Sequence, residues 1–158
     1  MRPLHFAVSA VLAILAGCGS TPSGPAAAVR VVPASALNPD VRPDNIQQTM
    51  CLPGWAETVR PSTVFTNGAK AKLAQAQGMP PAEASFYELD HRVPLVLGGH
   101  PTNPPNLAVL ALNVAQRKAR LERLLAVQVC TGKVSLDSAR ERIYVDWPAA
   151  YRDLVDKP

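Results

Sequence analysis

The 158-residue sequence offers no apolar run long enough to cross a bilayer: residues 6–15 supply about ten residues where a spanning helix needs roughly 20. Its three cysteines include no CxxC-like spacing, so the usual sequence pattern of a structural zinc site is absent. Neither sign of charge dominates, with 16 Lys and Arg against 12 Asp and Glu, a formal +4. That excess permits contact with nucleic acid without demanding it. The length allows one small domain and excludes two large ones.

What is present begins with "MRPLHFAVSAVLAILAGC", an early arginine, an apolar run and small residues before Cys18, the pattern of a secretory signal. The stretch "LAGC" resembles the end of a bacterial lipoprotein signal. The resemblance implies cleavage after residue 17, a diacylglycerol on the Cys18 thiol and acylation of the freed amine. The alternative is an ordinary signal peptide with a chance cysteine. Gly19 stands where an aspartate would mark inner-membrane retention, which implies an outer-membrane lipoprotein facing the periplasm. Several acyl chains, at ~0.8 kcal/mol per buried methylene, would make a stable anchor. Residues 19–44 are rich in proline, alanine and serine with no sustained apolar period, the composition of a tether. The expected organisation is a signal at 1–17, a tether at 18–44 and a domain at 45–158. Removing the signal takes away only Arg2, so the formal charge falls from +4 to +3.

With Cys18 lipidated, Cys51 and Cys130 remain as a pair in an oxidising compartment, and a disulfide is the natural assignment. It would close a loop of about 80 residues, worth ~4.5 kcal/mol in the chain-entropy picture. A metal-binding pair is the competing assignment, without supporting spacing.

Between the cysteines, "TVFTNGAKAKLAQAQGMPP" offers Thr66 or Asn67 as a cap and Gly78 with prolines as a stop, predicting a helix over 68–77. Residues 86–97 read as a strand, Gly98-Gly99 as a turn, "HPTNPPN" as a loop and 107–112 as the returning strand. From Asn113 the sequence is helical, with Val114, Leu121, Leu124, Leu125 and Val129 as an apolar stripe and Gly132 as its end. A last helix is capped by Ser135, carries Asp137 in its first turn and is interrupted at Pro148. The whole is an α+β pattern.

Within "YELDHRVPLVLGGH", alternation in a flat strand puts His91 on the face of Tyr87 and Leu89, and Asp90 on the face of Glu88 and Arg92. A shared site for Asp90 and His91 requires a local irregularity, for which Pro94 argues. Strand alternation alone leaves both readings open.

The combined pattern "DHRVPLVLGG…NPPNL…N…K" resembles the ββα-metal, or HNH, nuclease family, through Asp90-His91, Pro94-Leu95, Gly98-Gly99, Asn106-Leu107, Asn113 and Lys118. The flanking "CLPGWAETVRPS", "KARLERLLAVQVCTGKVSL" and "DWPAAY" resemble a bacterial and phage group within it, so the likeness covers most of 51–151. The resemblance implies a small hairpin-plus-helix core flanked by short helices. It further implies His91 as general base, Asp90 as carboxylate ligand of a single metal ion, and Asn106 as the residue whose amide bridges the loop and orients the histidine. Asn113 would be the second ligand, or a plain helix cap. An Asp and an Asn oxygen suit a hard divalent ion, magnesium first, with manganese or zinc as alternatives. Arg92, Arg117 and Lys118 would hold phosphates.

The chain also departs from that pattern. Asn113 stands where many members have histidine, the segment from Asn106 to Asn113 is short, Ala119 replaces an aspartate usual after the helix lysine, and "AVLAL" replaces a tryptophan and proline. A basic face of Arg117, Lys118, Arg120 and Arg123 could follow a phosphate backbone or simply be solvated. His100 reads as a surface residue or a spare ligand. The expected activity is metal-dependent endonucleolytic hydrolysis of DNA, with RNA as the other substrate class and no obligate protein partner. A catalytically degenerate, lipid-anchored binding module is the alternative. For the anchor, intact mass of the membrane fraction should show a mature chain beginning at Cys18 and carrying acyl groups; a soluble product cut elsewhere would refute it.

Overall fold

The computed structural model describes residues 31–156. The elements are α1 (Trp55–Thr58), α2 (Thr63–Ala76), β1 (Tyr87–His91), β2 (Leu107–Ala111), α3 (Leu112–Cys130) and α4 (Leu136–Leu154), joined by short 3-10 turns. This is a mixed α+β fold with one disulfide. β1 and β2 form a two-stranded antiparallel sheet in which Tyr87 faces Ala111 and His91 faces Leu107. α3 starts at the residue after β2, so the hairpin's end fixes where the helix begins. Among the described residues no helix is long and apolar enough to cross a membrane.

α3 buries Ala115, Lys118, Leu121, Leu125 and Val129, a stripe at helical spacing that puts one lysine among apolar residues. Val114 and Leu124, expected on the stripe, lie at its half-buried edges. The core continues through Leu136, Ala139, Ile143, Ala150 and Tyr151 of α4 and through Val93, Leu97, Val41 and Met50. Ser135 caps α4 by accepting from the Ser138 amide at 3.2 Å. The break near Pro148 falls at Asp146, which is non-helical and accepts from the Ala149 amide at 2.9 Å, restarting the helix.

Three boundaries differ from the sequence expectation by more than a residue. α2 begins at Thr63, capped by the Ser62 hydroxyl at 3.2 Å from the Phe65 amide, and Thr66 instead bonds back to the Ser62 carbonyl inside the helix. β1 ends at His91 rather than 97, because Pro94 has no amide to give a ladder and residues Leu95–Leu97 form a 3-10 turn ended by Gly98 at φ 70°. The folded unit also begins before Asn45. Ala36 and Val41 are buried, Leu37 bridges to Gly99, and the Asn38 and His100 amides donate to the Gly98 and Ala36 carbonyls. These few apolar residues build no core of their own but fill the domain's. Cys18, the signal and the first part of the expected tether lie outside the described residues.

Arg140 of α4 fastens this region from beneath. Its Nε donates to the Leu97 carbonyl at 2.8 Å, and its Nη2 donates to the Val41 and Gly98 carbonyls at 3.1 and 3.3 Å. A Cβ on Gly98 would collide with that guanidinium and with Val41.

Cys51 and Cys130 are bonded, with Cα atoms 5.6 Å apart and a separation of 79 positions in sequence. The bond ties the segment before α1 to the last residue of α3. Replacing both cysteines by serine should lower the unfolding free energy by about 4 kcal/mol, less any residual structure in the unfolded chain, as read from denaturant titration of the oxidised wild type against the variant.

Candidate active site

Asp90 and His91 are the last two residues of β1, and both line one cleft of about 140 Å³. Its other walls are the Pro94–Leu95–Val96 turn, Ala115, Ala119 and Glu122 of α3, Glu88 and Arg60. Alternation is defeated because the strand stops at His91 and the chain bends away into the Pro94 turn. The irregularity that a common site requires is therefore a strand end.

The loop that follows is braced from within by Asn106, which is fully buried. Its Oδ1 accepts from the Val93 amide at 2.8 Å, its Nδ2 donates to the Val93 and His100 carbonyls at 2.9 Å each, and its own carbonyl accepts from the Arg92 amide at 2.8 Å. Both ends of the 92–101 loop thus hang on one carboxamide. Gly99 is needed here because a Cβ would run into the Val93 carbonyl and the Asn106 amide. Next to His100, the Pro101 carbonyl lies 2.9 Å from Nε2 of His91. A carbonyl can only accept, so Nε2 carries the proton and Nδ1 keeps its lone pair. Burial, followed by the nearby positive charges of Lys118 and Arg60, lowers the His91 pKa, opposed by the Pro101 hydrogen bond. The imidazole is held in its basic, neutral form.

Lys118 does not reach solvent. It is 1% exposed, and its Nζ donates to Asp90 Oδ1 at 3.0 Å, to Glu122 Oε1 at 2.7 Å and to the His91 carbonyl at 2.7 Å. The expected phosphate-holding role for Lys118 is corrected by this burial, which follows from its place on the apolar stripe of α3. Despite the ammonium, burial pushes the Asp90 carboxyl up to about 6, since desolvation outweighs the attraction of Lys118.

The other expected residues lie elsewhere. Asn113 is exposed, is absent from the cleft walls and accepts from the neighbouring Val114 amide at 2.9 Å; the cap position of α3 is Ala111, without a side-chain bond. It is neither the cap nor part of the cleft. Arg92 is exposed and outside the cleft lining. Arg117 stacks on the Tyr151 ring, 4.8 Å from its centroid, and lies 3.8 Å from the Asp156 carboxylate, so α4 engages it. His100 is half-buried and bonds within its own loop, its Nδ1 accepting from the Thr102 and Asn103 amides at 3.2 and 3.1 Å.

Sequence reasoning missed Arg60, Glu88 and Glu122. Glu88 shares the face of Asp90 by simple alternation, and Glu122 is four residues after Lys118, so both were within reach of the pattern. Arg60 lies thirty residues from Asp90, in "TVRPS", and only the folded chain brings it to the cleft. It is exposed, and no acidic side chain pairs with it among the described residues.

The residues present do not assemble the metal site that the family resemblance implies. Asn113 does not line the cleft that Asp90 lines, one oxygen of Asp90 is committed to Lys118, and among the described residues no three His, Cys, Asp or Glu side chains converge to hold an ion. No protein-family model, curated protein or solved structure matches this chain.

The raised Asp90 pKa has a signed consequence. The folded chain binds the Asp90 proton more tightly than the unfolded chain, so ionising it costs stability as pH rises from 3.8 to about 6. Stability of wild type relative to Asp90→Asn should therefore fall between about pH 4 and about pH 7, measured by thermal or urea unfolding at each pH. His91 is common to both proteins and drops out of the comparison.

Proposed function

We propose that the protein is an endonuclease-type phosphodiester hydrolase that resembles the ββα-metal family in its His91 general base but not in its metal site, with DNA as the first substrate class and RNA as the second. The observation that carries this is the His91 ring: Nε2 is pinned to the Pro101 carbonyl, burial keeps the imidazole neutral, and the side chain lines a cleft. In the reaction Nδ1 takes a proton from water as the oxygen attacks phosphorus, and the bond to the leaving sugar oxygen breaks, that oxygen taking up a proton from solvent water as it departs. Arg60 is the exposed cation of the cleft and would neutralise non-bridging phosphate oxygens. Asn106 keeps His91 in place through the loop that carries Pro101. Arg120 and Arg123, exposed on α3, are available to neighbouring phosphates.

The family's divalent ion would supply Lewis-acid stabilisation of the phosphate, but the donors described above do not fit it, and no step here passes through it. A lipid anchor on Cys18 would place the enzyme at the periplasmic face of an outer membrane. The Cys51–Cys130 bond supports an oxidising compartment.

A second reading, a binding module that keeps the fold without the chemistry, is favoured by one observation: Lys118 already neutralises Asp90. Plasmid cleavage by the detergent-solubilised full chain, with a metal series and a chelator control, separates the two. His91→Ala should lower cleavage by about 10²–10⁴-fold with the fold retained. Arg60→Ala should weaken the reaction by about 10- to 100-fold, mainly through KM and more steeply in salt. Wild-type rates in His91→Ala would remove the general-base assignment, and no cleavage by wild type under any condition would favour the binding module.

A further inference from the structure

We propose that Lys118 is the resident cation of this cleft: its ammonium fills a three-oxygen cation site built from Asp90 Oδ1, Glu122 Oε1 and the His91 carbonyl, and so replaces a divalent ion at that position. The inference is independent of whether the cleft cleaves anything. An ammonium has three N–H donors, and the three oxygens at 2.7–3.0 Å take all of them. The distances are those of charge-assisted hydrogen bonds. A buried lysine is costly unless its charge is matched, and here it faces two carboxylates, one of them on its own helix at i+4. The same three oxygens, two of them charged, form a hard donor set of the type that binds magnesium, manganese or calcium. An ion and the ammonium cannot share them, because like charges a few ångströms apart in a buried setting repel strongly.

The functional content is that the positive charge beside Asp90 is permanent, delivered by the chain rather than taken from solution. Because Lys118 also holds the His91 carbonyl, it is a positioning residue that fixes the strand end from which the imidazole projects. It does not touch substrate, since it is buried.

The test is Mn²⁺ uptake by the full chain in detergent, read by electron paramagnetic resonance and so independent of any cleavage. Wild type should show no saturable site tighter than about 1 mM that depends on Asp90, the weak end of protein oxygen sites. Lys118→Ala should gain one, and adding Glu122→Gln should remove it again. Saturable uptake by wild type that disappears in Asp90→Asn overturns the proposal, as does a folded Lys118→Ala that gains no site. Uptake unaffected by Asp90→Asn lies elsewhere and leaves the proposal upheld. Should Lys118→Ala fail to fold, the wild-type and Asp90→Asn titrations decide alone. Absence of cleavage in the plasmid assay, with this uptake pattern intact, would reject the nuclease reading and not the resident cation.

Discussion

The arrangement depends first on a single buried carboxamide. The fifteen residues between β1 and β2 contain only two short 3-10 turns, so their backbone groups cannot satisfy one another as a helix or a sheet would. Asn106 meets that demand with both ends of its side chain and with its own carbonyl, gathering Arg92, Val93 and His100. An apolar residue of similar size would leave several buried polar groups unpaired, which costs more than the hydrogen bonds themselves gain. Everything placed by the loop follows from this, including the carbonyl that orients His91.

Two buried cations then divide the remaining work. Arg140 is matched chiefly by carbonyl oxygens and organises the outer side of the loop; Lys118 is matched chiefly by carboxylates and organises the inner side. The difference in partners matters. The carboxylate nearest the Arg140 guanidinium, that of Asp137 at 3.9 Å, is solvent-exposed, whereas the carboxyl that Lys118 binds, Asp90, has its own ionisation disfavoured by burial. The rigid side of the loop and the pH-responsive side are thus built from different chemistry. Three carboxylates and two cations border the cleft, so with Asp90 ionised its own charge is slightly negative. A phosphate would meet attraction only where Arg60 stands.

Much of the frame was legible because it is periodic or punctuated. Apolar spacing marked α3, Ser135 marked the start of α4, Gly98-Gly99 and the prolines marked the turn, and the two cysteines that remained after Cys18 are bonded. What was not legible has physical causes. A lysine on an apolar stripe reads as a charge for solvent until its partners on another element are known, which is why Lys118 was misplaced. Asn113 has the composition of a cap or a ligand, but α3 begins one residue earlier, immediately off β2, and its side chain turns to Val114. Arg60 has no local signature at all, since a single arginine after a short helix acquires meaning only from the tertiary approach to His91. Residues 34–41 lack the periodicity of a core element because they complete a core made by others.

That last segment also sets a load path. Within its first residues the described chain is fastened both to the core, through Val32 and Leu37, and to the loop that carries Pro101. There Asn38 is bound to Gly98, Ala36 to His100, and the Ser35 carbonyl to the Asn103 side chain. A pull applied at the N-terminal side of this segment would be borne by these few hydrogen bonds together with the packing of Val32 and Leu37 on the core. The loop they hold is the one that supplies the acceptor for His91, so tension entering there is passed on to the orientation of the imidazole.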